Sequence, residues 1–326
     1  MASVKLHILE ASQPRPRNAM TANPSKINRS RFYFEWKGHQ IQDLTTFHAI
    51  TTAQKPDKPI VYLAGDSSLD NKYWVSSDDE LQVEVPNVYK HALDKPSPKP
   101  DVSFWMNHFL GDRATCINTA VEESMLRERD QELLEHDKFI RDNIRPRDVL
   151  IVSVGANDIA LKPLPCTILH MLHLAWATPR SSLENGTAWS LEYFRHMFGT
   201  SVQNYVDRMT AKTRPRAVII CMIYYPLESG LGQQSWADTQ LKALGYNTWP
   251  GQLQTAISTL YRLATQKIII EGTEIIPCAL HEVLDGKTAK DYTARVEPNE
   301  EGGKKMASKF VELVDKILAN PLPETH

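Results

Sequence analysis

A hydroxyl that could serve as a nucleophile stands at Ser67, inside the stretch KPIVYLAGDSSLDNK. There an unbroken apolar run, Ile60–Ala64, is stopped abruptly by Gly65-Asp66-Ser67-Ser68. A continuous run of Ile, Val, Tyr and Leu suits a strand buried on both faces of a parallel sheet. Glycine after it permits a sharp turn, and Asp and Ser are good caps for a following helix. Such a turn presents the serine at the carboxyl edge of the sheet, where open α/β sheets bind ligands. Serine alone is a poor nucleophile and needs a neighbouring group to take its proton. The rest of the chain must therefore bring a base to this edge.

Two further blocks follow in order: Ala114–Ala120, ATCINTA, and Asp148–Ile159, DVLIVSVGANDI, whose apolar run ends in Gly155-Ala156-Asn157-Asp158. With Gly65-Asp66-Ser67-Ser68 ahead of them, the chain resembles the SGNH hydrolases, the GDSL-type esterases and lipases, over roughly residues 58–320. The resemblance implies that Ser67 is the nucleophile. It also implies an oxyanion hole made by the Ser67 N–H, the N–H of Ala120 in the second-block glycine position, and the amide of Asn157, with Gly155 shaping the third block. A fourth block, Asp-x-x-His-Pro, is expected before the last helix. Here Ala294-Arg295-Val296-Glu297-Pro298 stands in its place, so Ala294 occupies the Asp position and Glu297 the His position. The frame from Pro298 through Ala307 otherwise matches.

Glu297 could replace histidine as the base if burial raised its pKa from ~4.3 by ~2–3 units. A neighbouring Arg295, Lys304 or Lys305 would pull it back down. His281 is a second candidate base, because it follows the last expected strand at the same carboxyl edge. His170 and His173, three residues apart on one helical face, could lean into the cleft. Asp285 and Asp291 are near enough in sequence to orient a base. No metal or other cofactor is expected, since His170, His173 and Glu297 match a zinc set only in residue type.

Strands are expected at Ile60–Ala64, Ala114–Asn118, Asp148–Val154, Ala217–Tyr225 and Ile275–Leu280, alternating with helices. This predicts an α/β protein, a three-layer α/β/α sandwich on a doubly wound, mostly parallel five-stranded sheet. The resemblance implies the flavodoxin-like order 2-1-3-4-5. Helices are expected at Asp101–Gly111, Glu122–Ile144, Leu164–Ala177, Trp189–Thr213, Gln252–Gln266 and Gly302–Leu318. Leu164–Ala177 either lines a hydrophobic pocket or is an ordinary buried helix. The loop Leu227–Gly251, with Trp236, Tyr246 and Trp249, is either a lid or a long loop pinned by its aromatics. Residues 1–57 read as an N-terminal extension, with a short strand at Val4–Leu9 and weak alternation at Phe32–Trp36. Residues 58–320 form the catalytic-type domain and 321–326 a tail; residues 73–100 make a proline-rich surface excursion.

The chain has 326 residues, 42% of them apolar, and a net charge of −2. That size supports a large core, and the charge argues against nucleic acid as a partner. No run approaches the 18 apolar residues of a transmembrane helix. Four scattered cysteines without a CxxC pair favour a reducing compartment, hence the cytoplasm. Seven Lys/Arg in residues 1–37 leave a mitochondrial address as the alternative, against which Pro14, Pro16 and Pro24 weigh. The functional expectation is a serine hydrolase acting on a small-molecule ester (carboxylester, acyl or acetyl) with a non-standard base. The alternatives are an SGNH-fold pseudoenzyme that binds a ligand or protein, or an assembly subunit that contacts a protein partner through the N-terminal extension.

Overall fold

Ile60–Gly65 forms β1, and every residue of it is buried. β2 (Thr115–Asn118), β3 (Val149–Ser153), β4 (Ala217–Met222) and β5 (Glu274–Ala279) complete one sheet in the order β2-β1-β3-β4-β5, every pairing parallel. The computed structural model describes residues 26–76 and 83–321, so the expected strand Val4–Leu9 lies outside the described residues. Helices cover both faces. Val102–Leu110 and Glu300–Ala319 pack together on one side, and Ile41–Gln54, Glu135–Asn143 and Val202–Met209 on the other. The architecture is a three-layer α/β/α sandwich. Its β1, β3 and β4 are wholly buried because both faces are covered.

Chain order leaves β1 in one direction toward β2 and in the other toward β3, so the switch point lies between β1 and β3. Open sheets of this kind bind ligands at such a crevice. Gly65 pairs with Ser153 across it, which sets the β1 and β3 turns side by side.

Residues 26–57 pack into the body: Leu44, Phe47 and Ile50 of helix Ile41–Gln54 are buried. Phe32–Trp36 is not alternating strand but the end of a short helix, Arg29–Phe34, capped by the Asn28 side chain. The helix expected over Glu122–Ile144 is also replaced. A 3₁₀ turn spans Leu126–Arg129, and the α-helix begins only at Glu135. Polar tertiary contacts override the local helical propensity here. Arg129, 1% exposed, is drawn inward to Asp137 at 3.0 Å and to the Met125 and Gly65 carbonyls. The Asp158 carboxylate meanwhile accepts the N–H groups of Leu126 and Arg127.

Two long helices expected from the sequence are interrupted by π turns. Pro165–Leu172 runs into a π turn at His173–Ala177, and Ser190–Arg195 into another at His196–Ser201. Such turns are rare and recur at functional sites. Both supply residues to the cavity described next. Helix Asp238–Ala243 lies inside the expected loop 227–251.

Candidate active site

Gly65 ends β1 where a side chain cannot fit: a Cβ there would lie 2.0 Å from the Ser153 carbonyl oxygen. That close approach lets β1 turn while still hydrogen-bonded to β3, through Asp66 N–H to Ser153 O at 3.2 Å. Asp66 then fixes the turn, its Oδ1 accepting the Ser68 N–H at 3.1 Å and the Ser68 hydroxyl at 2.8 Å. Ser68 is thereby structural, bonded also to the Ser153 hydroxyl. Ser67 is left pointing at an apolar cavity, and its own N–H donates no bond among the described residues.

Glu297 reaches that cavity from a two-stranded hairpin, β6 (Tyr292–Thr293) and β7 (Glu297–Pro298). The hairpin loop is strained, because Ala294 and Arg295 have φ of 51° and 62°. A Val296 N–H to Ala294 carbonyl bond closes a γ-turn around Arg295. Left-handed backbone at non-glycine residues persists where surroundings enforce it, as they do at functional sites. Here the Arg295 side chain supplies the enforcement. It is 3% exposed and bonded to the Leu227 carbonyl, Asp238 and Asn247. Arg295 is thus committed to the loop, and its charge is not among the causes acting on Glu297.

Burial pushes the Glu297 carboxyl up to about 7, and the charge of Asp66 adds to the rise. The Ser67 hydroxyl and the Trp236 indole N–H, 3.2 Å from Glu297 Oε1, act in the opposite direction. Glu297 Oε2 is buried with no partner of regular hydrogen-bond geometry, so it is the oxygen open to Ser67. Loose contacts of this kind are ordinary before substrate binds. Asp66 is itself raised to about 6 by burial. Glu122, held by the Trp74 N–H at 3.2 Å, is raised to about 9, by burial first and Glu297 next. Glu122 therefore stays neutral at pH 7, while Glu297 is poised between its two states.

The Trp236 bond yields a direct expectation. Trp236→Phe removes a donor that favours the ionised carboxylate, so the Glu297 pKa should rise. A hydrogen bond to a charged group is worth ~1.5 kcal/mol, or about one pH unit. The acid limb of any Glu297-dependent activity should move alkaline by that amount, as read from kcat/KM against pH; an unmoved limb would refute the role given to the indole.

The residues expected to form an oxyanion hole divide. Asn157 lines the cavity; its amide donates to the Ser124 carbonyl at 3.1 Å, and its second N–H remains available. Ala120 does not reach the cavity. Its N–H donates to Asn118 Oδ1 at 3.1 Å, which corrects the expectation that it would serve as a donor there. Gly155 has φ of 102° and caps helix Ala156–Ala160; it shapes the turn without lining the cavity. His281 does not approach Ser67 either. It packs between Tyr225 and Tyr261, with ring centroids 5.2 and 5.5 Å away, and is absent from the cavity wall. It stands at the end of β5, the sheet's far edge, with β4 between it and the β1–β3 crevice. His170 stacks on Tyr193, and His173 is bonded to Trp189, Thr178 and Ser190. Among the described residues no His, Cys, Asp and Glu cluster could hold a metal ion.

The cavity has a volume of about 140 Å³. Ser67, Asp66, Asn157, Glu297 and Trp236 form its polar end; beyond them the wall is mostly apolar, with Leu174, Phe194, Phe198, Met222, Leu253 and Ile257, interrupted by Gln240 and Gln252. These belong to or pack against a second hydrophobic cluster, separate from the core under the sheet. Helix Pro165–Leu172 thus does not end as an ordinary buried helix: its π extension lines the cavity with Leu174 and Ala175. Loop 227–251 contributes Trp236 and Leu241 to the wall, while Tyr246 anchors it with its hydroxyl on the Pro226 carbonyl. The roles of Trp236 and Glu122 were not legible from sequence. Trp236 lay in a loop with no fixed register, and Glu122 lay at the start of a segment read as helix.

No family model matches the chain, and no curated protein matches it. Among solved structures it is similar to an M. smegmatis aryl esterase, at 12% identity and TM-score 0.40, over 79% of this chain and 99% of that one. An extracellular lipase from Streptomyces rimosus aligns at 9% identity and TM-score 0.38, over 79% and 99%. A Clostridium thermocellum family 3 carbohydrate esterase aligns at 12% identity and TM-score 0.38, over 81% and 98%. Likeness this distant carries no weight for the chemistry, which rests on the residues around Ser67.

Proposed function

We propose that the chain is a divergent SGNH-type serine hydrolase that cleaves esters of an apolar acyl group, with Ser67 as nucleophile and Glu297 as base. The observation that carries this reading is the joining of three things in one cavity: a serine hydroxyl, a carboxyl held near pKa 7, and an apolar chamber. A base with its pKa near working pH combines adequate strength with adequate ionisation. Ionised Glu297 takes the Ser67 proton as Oγ bonds to the ester carbonyl carbon. The oxyanion that forms is met by the Ser67 N–H and the Asn157 amide. When the tetrahedral centre collapses, Glu297 returns the proton to the departing alkoxide, leaving the acyl group on Ser67. Water, deprotonated by the same carboxylate, then releases the acid and restores Ser67. No orienting third residue is needed, because a carboxylate has no tautomer to fix.

One observation favours a second reading, a ligand-binding pseudoenzyme: the Ala120 N–H is already bonded to Asn118, which leaves the oxyanion with fewer donors. A fluorophosphonate probe separates the two, since it reacts with a serine that is activated and beside an oxyanion hole. Labelling of the purified protein that is abolished in Ser67→Ala is the expected result. Absence of labelling from pH 5 to 9 would overturn the hydrolase reading in favour of binding.

A further inference from the structure

Helix Pro165–Leu172 and its π extension present two apolar faces, and only one of them is used by the cavity. Leu174 is buried in the wall, and Met171 and Ala175 are half-buried at its rim. On the other face Ile168, Leu169, Leu172 and Trp176 are exposed, Leu169 and Trp176 each by 61%. Trp189 adds to this face at 56% exposure, its ring 4.9 Å from His170. Trp249 adds a further 68%-exposed ring at the start of helix Pro250–Leu263, whose Gln252 is bonded to the Leu174 and Thr178 carbonyls. Large contiguous apolar patches on a soluble surface mark interaction sites.

Three features select the occupant. The patch is continuous, through Met171 and Ala175, with the chamber that ends at Ser67. Two of its indoles have already spent their N–H donors inward, Trp176 on the Ala243 carbonyl and Trp189 on His173 Nε2, each within 3 Å. Those rings can enter hydrocarbon without leaving a polar group unpaired, which is the requirement of a lipid environment. A protein partner would more commonly find such donors free for its rim of hydrogen bonds. Tryptophans grouped beside aliphatic side chains also match the side chains that settle at a membrane–water interface.

We infer that the exposed face of residues 164–176, with Trp189 and Trp249, seats on a lipid surface so that an acyl chain can pass along Met171 and Ala175 into the Ser67 cavity. The inference rests on reading that cavity as an acyl chamber; the lipid-facing role deepens it by placing the substrate in an aggregate rather than in free solution. No helix among the described residues is long and apolar enough to cross a membrane.

The test is flotation of the full chain with phosphatidylcholine vesicles through a density gradient, run for the parent, Ser67→Ala and an Ile168→Asp/Leu169→Asp double variant. The parent and Ser67→Ala should float alike, and the double variant should partition at least tenfold less. Ile269→Asp, at a separate residue exposed by 77%, should float like the parent. In the parent, vesicles brominated in the acyl chains should quench tryptophan fluorescence, a readout that needs no variant to fold. Failure of the parent to float, equal flotation of the double variant, or a patch found instead to mediate a dimer on sizing would each overturn the inference. Fluorophosphonate labelling on the same preparations keeps the two ideas apart. Labelling without flotation leaves the hydrolase standing and removes the lipid seat; flotation without labelling does the reverse.

Discussion

Glu297→Gln should lower kcat/KM for a soluble ester by ~10²–10⁴ at pH 8 while making the folded protein harder to unfold at that pH. The first effect follows from removing the group proposed to take the Ser67 proton. The second follows from linkage. The folded state holds Glu297 at about 7, above its ordinary 4.5, so between those values it binds more protons than the unfolded chain does. Stability then falls as pH rises through this window, and above pH 7 the full penalty, ~3 kcal/mol, is present. Gln is neutral throughout and escapes it. Urea unfolding should therefore show the variant more stable than the parent at pH 8, and the two closely matched at pH 4. A site that costs stability in its active protonation state is expected where function, and not packing, chose the residue. Unchanged turnover in Glu297→Gln would remove Glu297 from the mechanism. A variant less stable than its parent at pH 8 would mean that the fold favours the carboxylate after all.

This pairing also decides how the pH profile is to be read. A carboxylate base is usually recognised by an acid limb near pH 4–6 and a histidine by one near 6–7. Glu297 at about 7 falls in the histidine range, so the limb alone cannot identify the base. Loss of activity in Glu297→Gln can, because with a distant histidine such as His281 as base the variant would keep its turnover, whereas the gain in stability follows from the raised Glu297 pKa in either case.

The sheet was legible because parallel strands buried on both faces are written as unbroken apolar runs. Ile60–Ala64 and Asp148–Val154 announced themselves, and their endings in Gly65 and Gly155 marked the carboxyl edge. Ser67 and Asn157 were placed by those endings, and the structure brings them into one cavity with Glu297. What was lost depended on contacts between distant segments. The helix expected across Glu122–Ile144 gave way because Arg129 is drawn to Asp137 and Asp158 caps the 126–127 N–H groups, interactions that local periodicity does not encode. Ala120 stood in the right block, yet its N–H is claimed by the side chain of Asn118, two residues away. His281 was correctly placed at the end of the last strand, but the sheet order puts β5 at the edge, with β3 and β4 between it and β1. Nor could the pKa of Glu297 be read from Arg295, Lys304 and Lys305 nearby in sequence. Arg295 turns away to brace the strained loop, while Lys304 lies over the Trp105 ring and Lys305 pairs with Asp291.

Ala256→Phe should erase most of a preference for long acyl chains over short ones. Ala256 lies on helix Pro250–Leu263, is 3% exposed and faces the apolar part of the chamber. Burying a methylene is worth ~0.8 kcal/mol, so an octanoyl ester, six methylenes longer than acetyl, could gain up to ~5 kcal/mol if the cavity accepted the whole chain. A chamber of about 140 Å³ takes part of it, and a parent preference of ~10²–10³ in kcat/KM for octanoyl over acetyl p-nitrophenyl esters is expected. A phenyl ring at 256 fills that volume with protein. Octanoyl turnover should fall by ~10² or more, and acetyl turnover should stay within about threefold, because the carbonyl, Ser67 and Glu297 lie at the other end. The ring enters existing space, so it should cost less stability than a large side chain forced into a packed core, which typically costs 1–3 kcal/mol. The comparison is internal to each protein, which makes it independent of how much of the preparation is folded. Equal losses on both esters would show that the ring distorts the Ser67 end. No chain-length preference in the parent would take the apolar chamber out of substrate recognition, leaving the Ser67–Glu297 pair to act on a group held elsewhere.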